Sequence, residues 1–105
     1  MAKRGDVYDL LGQIEERPNM FVVDHNLEHL SMMLHGYEAC LWSNDLEEDG
    51  EGRPFHTASF NDWLREEKGW STSCGFAHAI GHEVPDAEEA FALFFKLLWA
   101  YRSSS

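Results

Sequence analysis

Asp86-Ala87-Glu88-Glu89 leads into Phe91–Tyr101, a stretch of large apolar residues interrupted only by Ala92, Lys96 and Ala100. No period of two runs through it, so it is not a half-buried strand. The acids at its start suit the positive end of a helix dipole, and Lys96 and Arg102 lie toward the negative end. A helix this apolar covers more than one face. It must either sit at the centre of a core or offer its aromatics to a partner, and the rest of the chain has to fold around that requirement.

The upstream segments supply helices to surround it. Val7, Leu10, Leu11 and Ile14 recur at the spacing of one helical face, with Asp6 placed to cap, which predicts a helix over about residues 6 to 16. Pro18 removes a backbone donor and pushes Arg17 toward extended geometry, so that helix stops there. Met20-Phe21-Val22-Val23 is too short for a helix and reads as an extended plug, with Met20 and Phe21 wedged under the next helix. That helix, capped by Asp24 or Asn26, carries Leu27, Leu30, Leu34, Tyr37 and Leu41 on one stripe and ends near Trp42-Ser43-Asn44. A second stripe of His29, Met32, Met33, Gly36 and Cys40 predicts a second buried face, with Gly36 admitting a crossing helix.

Asp45–Pro54 holds five acids, two glycines and a proline, the composition of a solvated loop spanning about 44–55. Phe60, Trp63 and Leu64 then mark a short helix with Ser59 and Asp62 in capping-box spacing and a stop at Gly69. Trp70 anchors a Ser/Thr-rich connection, and Phe76, Ala77 and Ile80 fit a further short helix stopped by Gly81 and Pro85. The expectation is therefore an all-α single compact domain over 1–105. It has four to five helices, a short extended segment after the first, and a frayed end from Arg102 to Ser105.

Charge limits the function. With 19 acidic against 8 basic residues and a net charge of -11, the surface repels phosphate backbones and attracts basic partners, so direct nucleic-acid binding is disfavoured. Cys40 and Cys74 stand in no metal-ligand spacing, MAKRGDVYDLL lacks a secretory apolar run, and no window approaches a membrane span. A reduced, cytoplasmic protein is expected, without a cofactor.

Two histidine pairs, His25 with His29 and His78 with His82, are the most enzyme-like feature. Residues four apart share a helical face, so each pair can present two imidazoles to one metal, with Asp24, Glu28 or Glu83 adding oxygen. Against this, HAIGHE lacks the glutamate between ligands of HExxH, and Gly81 threatens to end the helix before His82 aligns. Either cysteine with a histidine could form a nucleophile pair, but isolated cysteines more often behave as small core residues. Glycine-rich phosphate loops are absent from the sequence. The acidic runs Glu47, Glu48, Asp49 and Glu51, with Glu66 and Glu67, admit two readings: a solubilising surface, or a steering surface flanked by Trp42, Trp63 and Trp70 as anchors.

Arg17-Pro18-Asn19-Met20-Phe21, the helix around Gly36-Tyr37-Glu38, Phe60-Asn61-Asp62-Trp63-Leu64, Gly69-Trp70 and Glu88–Leu98 together resemble a family of small bacterial immunity proteins of polymorphic toxin systems. Asn19 and Phe21 depart from that family's Arg-Pro-Gly-Met-Tyr. A similar run occurs in ATPase subunits of type II topoisomerases, but their acidic catalytic helix and glycine-rich lids do not follow here. The resemblance implies a non-enzymatic protein that binds and neutralises one cognate toxin domain by occlusion, many such toxins being nucleases with basic clefts. The rival reading is a metal-binding helical enzyme or sensor built on His25, His29, His78 and His82. A third has the last helix pairing two copies as a homodimer.

Overall fold

The computed structural model describes residues 7–22, 24–43 and 55–104, and of 41–43 the backbone alone. These residues form five α-helices in order, α1 (Val7–Glu16), α2 (Leu27–Ser43), α3 (Thr57–Lys68), α4 (Phe76–Glu83) and α5 (Ala87–Ser103), with a 3-10 turn at Pro18–Met20. Among the described residues there is no strand. The radius of gyration, 13.6 Å, lies close to the roughly 13 Å of a compact chain of this length.

α5 is the central helix. Phe91, Phe94, Phe95, Leu97, Leu98 and Tyr101 are all buried, and α2 and α4 pack against it. Its start is fixed by Asp86, whose carboxylate accepts from the Glu89 amide at 2.9 Å. Most of the large apolar side chains of α5 are used inside the molecule, while Leu93 and Trp99 are half-buried. Trp99, half-buried, donates its indole N–H to Glu15 at 3.1 Å and ties α5 to α1. The helix runs past Arg102 through Ser103, Ser104 Oγ donates to the Tyr101 carbonyl at 2.7 Å, and the Arg102 guanidinium sits 4.5 Å from the Tyr8 ring centre; Ser105 lies outside the described residues.

α1 buries Val7, Leu11 and Ile14 as its period demands, and Tyr8 as well. Pro18 does end it, with the Arg17 amide making a last bond to the Gln13 carbonyl at 2.9 Å. The following segment is wound where an extended plug was expected. The Pro18 carbonyl accepts from both the Phe21 and Val22 amides, at 3.0 and 2.9 Å, and pulls the chain into a 3-10 turn. A tight turn sends its side chains in different directions, so Met20 is 70% exposed while Val22 is buried and Phe21 packs only partly.

α2 buries Leu27, Leu30 and Leu34, with Tyr37 partly packed. Most of its second stripe faces solvent: His29, Met32, Gly36 and Cys40 are exposed, and Met33 alone of that set packs partly against the core. A Cβ built on Gly36 would meet nothing within 4 Å, so among the described residues no helix crosses there. Cys74 is exposed too, and neither cysteine is a core residue.

α3 begins three residues before Phe60, and the expected Ser59/Asp62 capping box does not form. Its first turn is instead capped from α2: Glu38 accepts from the Thr57 amide at 2.7 Å and from the Thr57 hydroxyl at 2.9 Å. Asp62 pairs with Arg65 at 2.9 Å on the exposed face. Gly69, at φ 70°, closes the helix in the left-handed conformation that favours glycine. The Glu38 contact joins two helices 19 positions apart, so Glu38→Ala removes a cap and leaves a buried amide short of a partner. Urea unfolding is expected to show a loss of about 1–2 kcal/mol. A change below a few tenths of that would mean the cap is replaced by water.

Candidate functional site

Among the described residues an open cleft of about 440 Å³ lies between the 24–26 turn, the start of α2, and α4 with its connection to α5. Its floor is apolar, from Leu27, Ala77, Val84 and Ala90, and its polar lining comprises Asp24, His25, Asn26, Glu28, His78 and His82. Local sequence explains the walls. Asn26 caps α2 by accepting from the His29 amide at 3.1 Å. To reach that position the chain passes through two left-handed residues, Asp24 at φ 48° and His25 at φ 55°. Such positions cost side-chain-bearing residues energy, though Asp and His tolerate them better than most. The turn sets the His25 ring edge-on to Phe91, 5.3 Å between centres, and so fixes it at the lip of the cleft.

On the other wall, α4 continues through Gly81 to Glu83, so Gly81 does not stop it, and Pro85 follows its C-cap, Val84. His78 and His82 therefore do share a helical face. His25 and His29 do not form such a pair, because α2 begins only at Leu27. Of the four predicted histidines the fold brings His25, His78 and His82 to one cleft, while His29 is exposed and outside it. Among the described residues no group of three or more His, Cys, Asp or Glu side chains is arranged to hold a metal ion.

A smaller cleft, about 190 Å³, shares His78 and His82 with the first and is lined otherwise by Trp70, Ser71, Ser73, Cys74, Ala79 and Glu83. Trp70 is thus half-buried beside a concavity. Trp63 is spent largely on packing, stacked on Phe60 with 5.9 Å between centres and edge-on to Tyr101 at 5.6 Å. Glu66 and Glu67 are exposed on α3. Glu47, Glu48, Asp49 and Glu51, and the side chain of Trp42, lie outside the described residues. Sequence reasoning missed the Asp24-His25 turn as a cleft wall; the signal available was two residues tolerant of left-handed geometry just before a capping asparagine.

No family model, curated protein or solved structure matches the chain.

Proposed function

We propose that the chain is a non-catalytic binding module of the immunity type, which docks on one basic toxin domain and blocks it by covering its working face. Charge carries this reading. If every lysine and arginine paired with one carboxylate, the net charge of -11 would still leave eleven acids over. Glu28, Glu66, Glu67, Glu83, Glu88 and Glu89 are all exposed. Self-repulsion of that size weakens a compact state, and complementary charge on a partner turns it into faster and more selective association. The sequence resemblance to immunity proteins points the same way, and a nuclease toxin with a basic cleft is the partner that suits the sign.

The test is to identify the gene adjoining this one and, where it encodes a toxin domain, to co-express the two. Cells are expected to survive only when the chain is present, and the two proteins to purify together. A chain that neither binds that domain nor protects the cells would overturn the proposal. The metal reading has less support, because only three of the four imidazoles meet and α2 does not present a pair. Elemental analysis of untagged protein is expected to find no stoichiometric transition metal; metal that is lost on His78→Ala and His82→Ala would favour that reading instead.

A further inference from the structure

We infer that the larger cleft is a socket for a guanidinium side chain carried by the basic partner, with Asp24 and Glu28 as its acceptors; this rests on the binding-module reading above. The sign of the cleft comes first. Asp24 and Glu28 contribute two negative charges, and among the described lining residues there is no lysine or arginine. Opposing them are the starts of α2 and α5, each equivalent to about half a positive charge. Both starts are already met by their own caps, Asn26 on the His29 amide and Asp86 on the Glu89 amide. With the imidazoles of His25, His78 and His82 neutral the balance stays negative, which disfavours an anionic ligand.

Shape and chemistry then choose among cations. At about 440 Å³ the cleft lies toward the lower end of the roughly 300–1,000 Å³ of ligand sites, room for one side chain or small molecule. Leu27, Ala77 and Val84 offer an apolar wall to an aliphatic stem. A planar guanidinium stacks on flat rings, here the imidazoles of His78 and His82, and pairs its fork with carboxylates. An ammonium group keeps more of its hydration and gains less in such a place. Placement of Glu28 in the first turn of α2 has a simple alternative cause, the helix dipole. That cause does not account for the two imidazoles that α4 brings to the same cleft.

The probe is N-acetyl-arginine-methylamide titrated into the full chain and followed by amide NMR. Saturable shifts are expected at residues 24–28 and 77–87, with a Kd on the order of millimolar for a single side chain. The lysine analogue should bind more weakly, and the citrulline analogue, a neutral near-isostere, should leave those amides in place. Asp24→Asn with Glu28→Gln should weaken arginine binding roughly threefold to tenfold. Asparagine suits the left-handed position 24, so the variant is expected to keep its fold, which the same spectra report. Glu66→Gln with Glu67→Gln should change nothing at the cleft. Shifts spread over the whole acidic surface, equal shifts with citrulline, or undiminished binding in the Asp24/Glu28 variant would each sink the socket. A toxin complex that forms with full affinity in that variant would sink it too, while leaving the binding-module reading intact.

Discussion

Replacing Phe60 with alanine is expected to cost about 3–5 kcal/mol and to leave the chain largely unfolded at moderate urea. Phe60 has no exposed surface, and five rings surround it: Phe55, Trp63, Phe76, Phe94 and Tyr101, at centre distances of 5.3 to 5.9 Å. Three of these contacts are edge-to-face, with Phe76, Phe94 and Tyr101, and such pairs are worth about 0.5–1.5 kcal/mol beyond the area they bury. Rings held by one another relax poorly around a hole, which puts the loss toward the upper end of the range. Total stability for a domain of this size is about 5–15 kcal/mol, so the variant forfeits a large part of it. Phe60→Leu, which keeps most of the volume, should cost roughly 1–2 kcal/mol and still give a measurable transition. Met32→Ala, at a side chain 70% exposed, should stay within about 0.5 kcal/mol. Trp63, one of four tryptophans, stacks on Phe60 and so contributes to the fluorescence change that follows the transition. A loss below about 1 kcal/mol in Phe60→Ala would mean that the aromatic cluster is not the folding core.

The same residues show what periodicity can and cannot reveal. Phe60, Leu64, Leu30 and Leu34 announce their burial through spacing alone, because a helix that hides one face must repeat its apolar residues near every third or fourth position. The aromatic density of Phe91–Tyr101 likewise required a central helix once no partner was assumed. Spacing failed where the deciding contact is distant in the chain. Glu38 caps α3 from α2, so Ser59 and Asp62, three apart and well suited to a local cap, were never needed. Gly36 looked like a crossing point, but glycine is also tolerated on an open helical face, and the sequence carries no sign of which applies. Gly81 looked like a stop, yet the α4 backbone is held by its neighbours on both sides, and α2, α3 and α5 all pack against it. The cleft was half legible. His78 and His82 could be paired by counting four, whereas the approach of His25 depends on two left-handed residues that no periodicity encodes.

The acidic surplus yields the second large effect, on the rate at which the chain meets the basic toxin domain proposed as its partner. Association is expected to slow by about a hundredfold as ionic strength rises from about 0.01 M to about 1 M, with dissociation changing far less. Over that range the screening length shrinks from about 30 Å to about 3 Å. The molecule measures 43 × 30 × 24 Å, so at low salt its whole net charge of -11 acts on an approaching basic domain. At high salt each carboxylate is felt only by a group in contact with it. Long-range attraction accelerates encounter, and the packed contacts that resist separation are short-ranged, which is why the two rates should diverge. Stopped-flow mixing of the chain with the toxin domain at several salt concentrations measures both. If the association rate changes by no more than about twofold, the carboxylates serve solubility alone and steering is excluded. A dissociation rate that rises in parallel with the fall in association would place charge pairs inside the interface, and Asp24→Asn with Glu28→Gln would then be the variant in which that rise is smallest.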